Sequence, residues 1–313
     1  MPALSASAPG KAILFGEHAV VYGQPAIAIP VFQVQAKAVI KADIQGPEGR
    51  IWIKSEAISL DSNLNDLDDS DPLKLTVRNT LHHFGVERVP AFKLTINSTI
   101  PVASGLGSGA AVSAAIARAI AGFLGQEISD ADVSDISYES EKIYHGTPSG
   151  IDNTVVSFAQ SVYFEKGNPL ALVEIGRPFS LLIADTGISS NTKLVVDDVR
   201  AGWKEAPQKY ETIFKAIGEL TLQARKALRL GNLDRLGELM NKNQVLLEEM
   251  GVSSPELEQL IRSAIEAGAL GAKISGGGRG GNLIVLSPDG REHDIEVALK
   301  TSGATSVINT RVQ

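Results

Sequence analysis

A glycine-rich segment between a strand-like run and an alanine-rich run constrains this chain more than any other feature. Residues 101–111 read PVASGLGSGAA, with three glycines and two serines. The preceding residues 92–100 alternate in polarity, which predicts a strand, and residues 109–124 carry apolar side chains at helical spacing, with Ser108 placed to cap that helix. Glycines let successive backbone N–H groups turn inward, and a helix N-terminus adds the positive end of its dipole. The sequence therefore predicts an anion-binding loop here.

Three interpretations of this loop compete. A Walker loop is excluded, because no Gly-x-x-x-x-Gly-Lys-Ser/Thr occurs in the chain. Gly105, Gly107 and Ala110 formally match a dinucleotide fingerprint, but Glu127 precedes a polar helix instead of ending a second strand. A glycine-rich turn without a ligand stays open on this motif alone.

Composition excludes several classes of function. The chain has 313 residues, 43% of them hydrophobic, which is enough for two cores. A net charge of −7 without a lysine or arginine run argues against a nucleic-acid partner. Arg118, Pro25 and Pro30 break the longest apolar stretches, so no membrane span is expected, and the N-terminus does not resemble a secretory signal.

Cysteine is absent, which removes disulfides, thiolate nucleophiles and cysteine-ligated metals. The five histidines show no metal-ligand spacing, so a zinc site is not expected. A cytoplasmic enzyme fits these observations best.

The pattern of elements changes near residue 177, which predicts one domain over residues 1–177 and a second over 178–313. Within the first, the acidic residues 61–71 are interpreted as a solvated loop that caps a helix starting near Pro72. In the second, the predicted helices are residues 208–230, 232–250, 255–267 and 291–300, and the predicted strands are residues 181–186, 272–275, 282–286 and 306–312. With the three consecutive helices taken as one layer, the order is β-α-β-β-α-β, the split βαβ pattern.

Titratable residues interrupt an apolar strand–turn–strand run near the N-terminus. Residues 8–23 read APGKAILFGEHAVVYG, in which Lys11, Glu17 and His18 stand among apolar side chains. An unpartnered charge would be costly there. Lys11 is either an active-site lysine or a snorkelling lysine on an edge strand.

Two further segments carry candidate functional residues. Ser129 and Asp132 open a predicted helix that Gly146 closes, and the turn after it leads to Asp152, so carboxylates at the helix end and the turn exit can converge on one cleft. Asp152 could instead belong to a capping box with Ser149. Residues 276–281 contain five glycines, more than a hairpin needs, which indicates close approach to the backbone.

These four segments, APGKAILFGEHAVVYG, PVASGLGSGAA, HGTPSGID and KISGGGRGG, occur in an order and spacing that resembles the galactokinase, homoserine kinase, mevalonate kinase and phosphomevalonate kinase superfamily. The sequences of the first and third segments are most similar to those of the mevalonate kinases, and the resemblance covers the whole chain. It implies an α+β fold with an N-terminal domain like ribosomal protein S5 domain 2 and a ferredoxin-like C-terminal domain.

The resemblance also implies a reaction, the phosphorylation of the C5 hydroxyl of mevalonate by ATP with Mg²⁺. It makes Asp152 the catalytic base, Lys11 its partner and Glu141 the magnesium carboxylate, and it leaves a homodimer open. The remaining positions that it implies are substrate contacts at Glu17, His18 and Thr192, phosphate contacts at Ser104, Gly105, Leu106, Gly107, Ser108, Gly109, Gly277 and Gly278, and a second metal contact at Ser108.

The chain departs from the family pattern at two positions. Gly109 stands where the family has a second serine on magnesium, and Arg279 interrupts the last glycine motif. A phosphomevalonate kinase is the nearest alternative, but no second basic cluster for a phosphorylated substrate is visible. A non-catalytic sensor of ATP and a metabolite, and a dinucleotide-dependent oxidoreductase, are alternatives of other classes.

Overall fold

The computed structural model describes residues 3–101, 104–145 and 148–313. The described strands are β1 (Leu4–Phe15), β2 (Ala26–Ala42), β3 (Ile51–Ser55), β4 (Leu60–Asn63), β5 (Phe92–Ser98), β6 (Val162–Phe164), β7 (Ala171–Leu172), β8 (Phe179–Asp185), β9 (Gly271–Ser275), β10 (Asn282–Ser287) and β11 (Ser306–Val312). The described α-helices are α1 (Pro72–His83), α2 (Ser108–Phe123), α3 (Asp130–His145), α4 (Ile151–Phe158), α5 (Thr192–Glu205), α6 (Pro207–Leu230), α7 (Leu233–Glu249), α8 (Pro255–Glu266) and α9 (Glu292–Thr301).

The chain forms two compact units. The first contains residues 3–10, 34–101, 107–145 and 148–159, and the second contains residues 11–33, 104–106 and 160–313. These units group residues by proximity in space, whereas the boundary near residue 177 divides the sequence and stays a prediction.

The first unit packs four helices beside a small sheet. The C-terminal part of β2 pairs antiparallel with β5, from Ala36 opposite Ser98 to Ala42 opposite Phe92. β3 pairs parallel with β5 and antiparallel with β4. Helices α2 and α3 each contact the other three of these helices, and α2 also contacts β5. Alanine occupies much of the buried face of α2, so the neighbouring helices can pack closely.

The second unit contains an antiparallel sheet in the order β11-β8-β10-β9. This is the strand order of a split βαβ unit, as the sequence predicted. Its apolar core lies between the sheet and the helices, and includes Leu182, Ile217, Leu257 and Leu283. The first residues of β2 belong to this unit, where they pair with β6.

Helix α7 covers β9, the edge strand of this sheet. The Asn241 Oδ1 atom accepts a hydrogen bond of 3.0 Å from the Ala272 N–H, and the Gln244 Oε1 atom accepts one of 3.0 Å from the Ile274 N–H. The Asn241 side-chain amide also donates to the Leu270 carbonyl at 3.3 Å. These side chains hydrogen-bond backbone groups that an edge strand otherwise leaves unpaired.

Most elements lie where the sequence predicted them, with two differences. Residues 192–205 form helix α5, which the sequence analysis missed, and only Val195 and Val199 of this helix are buried. Part of the acidic segment forms β4 instead of a loop, although Asp71 caps α1 as predicted, through hydrogen bonds from Leu73 and Lys74. Ser129 likewise caps α3 and pairs with Asp132, whereas the predicted stop at Gly146 lies outside the described residues.

No helix in the described ranges is both long enough and apolar enough to cross a membrane.

Candidate active site

The predicted anion-binding loop leads directly into helix α2. Gly105 has φ +77° and Gly107 has φ +74°, a left-handed conformation that favours glycine. Gly107 is the N-cap residue and has no side chain to form a cap hydrogen bond, so the prediction that Ser108 is the cap is wrong. Ser108 is instead the first helical residue. A helix N-terminus without a side-chain cap presents its N–H groups to an anion.

Strand β1 runs next to this loop in the second unit and carries Lys11. The Lys11 N–H donates to the Leu106 carbonyl at 2.9 Å. Two residues further on, the Ser275 hydroxyl bonds to both the N–H and the carbonyl of Ile13, each at 3.0 Å. The Lys11 residue is only 3% exposed, which contradicts a lysine that snorkels into solvent from an edge strand.

Glu17 and His18 lie in the turn that follows β1, and both are buried. The Lys273 ammonium on β9 donates to Glu17 Oε1 and, at 2.5 Å, to the Ile274 carbonyl. The Nε2 atom of His18 lies 3.0 Å from the Gly277 carbonyl. Because a carbonyl can only accept, His18 carries its proton on Nε2 and donates it.

Burial dominates the electrostatics of this group. It lowers the pKa of His18 to about 4, so the imidazole is neutral near pH 7. It also raises the pKa of the Glu17 carboxyl and lowers the pKa of Lys273, while the attraction between these two groups opposes both changes. The ionised forms of Glu17 and Lys273 therefore stabilise each other.

The glycine loop of residues 276–281 packs closely against its surroundings in the second unit. A Cβ atom on Gly277 would lie 2.9 Å from Thr192 Oγ1, and a Cβ atom on Gly278 would lie 2.1 Å from the Val252 carbonyl oxygen. The Ser190 hydroxyl donates to the Gly278 carbonyl. The close approach predicted from the five glycines is therefore present, and it places Thr192 beside Gly277.

Arg279 interrupts the glycines of this loop with φ +55°. Its N–H donates to the Val252 carbonyl at 2.8 Å, its Nε atom donates to the Gly251 carbonyl at 3.1 Å, and its guanidinium pairs with Asp198 on α5. Arg279 thus joins the loop to α5 and to the turn between α7 and α8.

Glu141 and Asp152 belong to the first unit, on α3 and α4. Glu141 is only 3% exposed. The hydroxyl of Ser140, the residue before it, lies 2.6 Å from the Thr76 hydroxyl on α1, so this contact joins α3 to α1. Beside Asp152, the Asn153 amide donates to the Ser134 hydroxyl at 2.8 Å, so α4 is held on α3.

The structure tests the alternative that Asp152 belongs to a capping box. Gly150, with φ +91°, is the N-cap residue of α4 and has no side chain to form a cap, while the Ser149 hydroxyl accepts a hydrogen bond of 3.4 Å from the Ile151 N–H. Asp152 lies in the first turn, where the helix dipole favours the carboxylate. The N-cap therefore lies one residue after Ser149, which differs from the predicted capping box with Ser149 as the N-cap.

Comparisons with known proteins agree with the sequence motifs. The model for the N-terminal domain of GHMP kinases matches residues 73–161, and the model for the C-terminal domain of GHMP kinases matches residues 224–305. The chain is 34% identical to a mevalonate kinase of Thermococcus sibiricus over 97% of its own length and 94% of the relative. This chain belongs to the GHMP kinases, within the mevalonate kinase family.

Further relatives of this GHMP kinase extend the comparison. It is 35% identical to a mevalonate kinase of Pyrococcus furiosus, over 97% of this chain and 94% of the relative. Its structure matches the crystal structure of L. major mevalonate kinase in complex with R-mevalonate, with a TM-score of 0.85 and 28% identity over 99% of this chain and 95% of that one. The two-domain α+β fold implied by the motifs is confirmed by these matches.

The structure adds residues that the sequence analysis did not select. Lys273 contacts Glu17, Ser275 contacts Ile13, and the Asn282 amide donates to the Ser104 carbonyl. A signal for Lys273 was available, since it stands between alanine and isoleucine in a short strand whose residues are all buried. Its partner was not predictable from spacing, because the two residues are 256 positions apart.

Proposed function

We propose that this GHMP kinase transfers the γ-phosphate of ATP to the C5 hydroxyl of mevalonate and yields 5-phosphomevalonate and ADP. The observation that carries this proposal is the similarity to mevalonate kinases along almost the whole chain, at 34% and 35% identity. Alignments over 97% of this chain include all four sequence motifs.

The geometry at the start of α2 supports binding of the triphosphate. Positive φ angles at Gly105 and Gly107, and a glycine at the N-cap of α2, suit a loop whose backbone N–H groups bind phosphate oxygens. In our proposal Ser104, Leu106, Ser108 and Gly109 complete this loop, and Gly277 and Gly278 contribute a second stretch of backbone that a ligand can approach closely.

The residues present also fit a magnesium ion. Mg²⁺ is commonly held by one or two carboxylates together with substrate phosphates, and it needs no cage made entirely of protein ligands. Glu141 provides a buried carboxylate, and Ser108 provides a hydroxyl at the start of α2. Among the described residues no group of three acidic or histidine side chains forms such a cage. When bound, the ion would neutralise charge on the phosphates.

In the proposed reaction the oxygen of the C5 hydroxyl attacks the γ-phosphorus of ATP, and the bond between that phosphorus and ADP breaks. Asp152 accepts the proton that the hydroxyl loses. Lys11 lies nearly buried on β1 and would orient the hydroxyl and keep the carboxylate ionised. Phosphoryl transfer depends mainly on positioning of the reactants and stabilisation of charge. A base, a cation and a phosphate-binding loop can therefore support the reaction. The pairing of Lys11 with Asp152 remains a prediction.

Glu17, His18 and Thr192 form the proposed contacts to the acceptor. His18 and Thr192 both lie beside Gly277: His18 hydrogen-bonds its carbonyl, and a Cβ atom on Gly277 would lie 2.9 Å from Thr192 Oγ1. The absence of cysteine agrees with a cytoplasmic enzyme. A homodimer stays an expectation from the family.

The direct test is the release of ADP by the purified protein with Mg²⁺, ATP and a panel of acceptors. We expect release with R-mevalonate and little with 5-phosphomevalonate, galactose or homoserine, and mass spectrometry should identify 5-phosphomevalonate as the product. ADP release that responds to another acceptor of the panel and not to mevalonate would contradict the proposal.

A further inference from the structure

We infer that Lys273 is a positioning residue for the acceptor substrate, because it fixes one oxygen of the Glu17 carboxylate and leaves the other to accept a hydrogen bond from a hydroxyl group of that substrate. This inference deepens the proposed function and rests on it.

The ion pair between Lys273 and Glu17 is completely buried. The Lys273 and Glu17 side chains both have zero exposure, although they carry opposite charges. Withdrawing two charges from water is expensive, and apolar replacements of buried ion pairs are often neutral or stabilising. We therefore assign the ion pair of Glu17 and Lys273 a role other than stabilising the fold.

The second oxygen of Glu17 indicates that role. Glu17 Oε2 is buried and has no hydrogen-bond partner within the described part of the chain. Buried polar atoms are nearly always hydrogen-bonded, so such an atom points to a missing ligand. An ionised carboxylate only accepts, so the ligand group must be a donor. The carboxylate of mevalonate is no donor and would be repelled, whereas a hydroxyl fits.

Lys273 and the glycine loop anchor neighbouring residues of one turn. Lys273 on β9 holds Glu17, and Gly277, four residues later, accepts the hydrogen bond from His18. His18 has φ +59°, a strained conformation for a residue other than glycine. Backbone strain of this kind persists where the surroundings hold it, and it clusters at functional sites. One short segment thus sets the positions of two proposed acceptor contacts.

The test compares Lys273→Met, which removes the ammonium, with the double variant Glu17→Gln/Lys273→Met, which removes both charges at similar volume. We expect Lys273→Met to raise the KM and the calorimetric Kd for mevalonate about tenfold or more, because it disrupts a hydrogen bond to a charged group, while KM for ATP stays unchanged. The double variant should regain the wild-type Tm but not the affinity for mevalonate.

Lys74→Met is the matched control. Lys74 is also a buried lysine, but it lies on α1 and bonds to the carbonyls of Asn65 and Leu67. Its replacement should lower Tm and leave KM for mevalonate unchanged.

A purely structural role for the pair of Glu17 and Lys273 predicts that affinity returns together with Tm in the double variant, and that result would overturn the inference. If Lys273→Met does not fold, the double variant alone decides between the two. Absence of mevalonate-dependent ADP release from the wild-type protein would instead refute the proposed function.

Discussion

Asp152 is the residue on which the proposed chemistry depends most. We expect Asp152→Asn to fold and to bind Mg-ATP as the wild type does, because the N-cap of α4 is Gly150 rather than Asp152 and Asn153 holds this helix to α3. Loss of a positioned base typically costs about 10² to 10⁴ in rate. Steady-state kcat with mevalonate, measured beside a thermal melt, checks this. A folded variant with near wild-type kcat would remove Asp152 from the role of base.

Glu141 is expected to set the requirement for Mg²⁺, because Gly109 has no side chain to offer the ion. Glu141→Ala should therefore shift the Mg²⁺ dependence of activity to higher concentration, and Gly109→Ser should leave it unchanged or lower it. Glu139→Ala is the matched control, since Glu139 is exposed on the same helix and pairs with Lys142. The assignment is wrong if Glu141→Ala and Glu139→Ala give the same magnesium titration.

The glycine loop of residues 276–281 allows a steric effect to be separated from a backbone effect. Gly276 and Gly278 have φ angles of +97° and +81°, so alanine is strained at both. At Gly276 the added Cβ meets nothing within 4 Å, but at Gly278 it meets the Val252 carbonyl oxygen at 2.1 Å. We expect Gly278→Ala to lower the free energy of unfolding by about 1–3 kcal/mol more than Gly276→Ala does. Urea denaturation of both variants measures the difference, and equal losses would show that the contact relaxes freely.

Elements with a strong local signal were predictable from the sequence. The strand at Phe92–Ser98 alternates in polarity, and α8 has Ser254 as its cap and proline in its first turn. Helix α5 lacked such a signal, because it has few buried apolar residues and contains Gly202 and two adjacent valines. Its cap did have a sequence signal, because asparagine is a preferred N-cap residue, and the Asn191 side chain accepts a hydrogen bond from the Leu194 N–H.

The site was predictable as a set of motifs but not as a set of contacts. Lys11, Glu17 and His18 could be selected because titratable residues are rare in apolar runs. The contact between Glu17 and Lys273 depends on how β9 packs in the second unit, which no local pattern encodes. The pair between Arg279 and Asp198 was equally unpredictable, because it depends on helix α5, which the sequence analysis missed.

The stability of the whole molecule should depend on pH through His18. Unfolded histidine binds a proton below about pH 6.5, whereas burial lowers the pKa of His18 in the folded chain to about 4. Between these values the unfolded state binds more protons than the folded state does. The contribution of His18 to the free energy of unfolding is therefore fully present above pH 6.5 and is lost as the pH decreases towards 4. From pH 7 to 4.5 this group should cost about 2–3 kcal/mol of unfolding free energy.

Urea denaturation at several pH values measures this effect as the difference between wild type and His18→Gln. The variant His293→Gln is the control, because His293 is exposed. We expect the curve of His18→Gln to be flatter than that of the wild type and the curve of His293→Gln to follow the wild type. Parallel curves for all three proteins would mean that His18 is not buried as a neutral imidazole.

The cover that α7 places over β9 has a consequence for self-association. An uncovered sheet edge can template the strand of another molecule, and from there an intermolecular sheet can grow. Because Asn241 and Gln244 already bond to the N–H groups of Ala272 and Ile274, a second chain finds those donors occupied. The fold therefore carries its own protection against aggregation at this edge, in two polar side chains that take no part in the proposed chemistry.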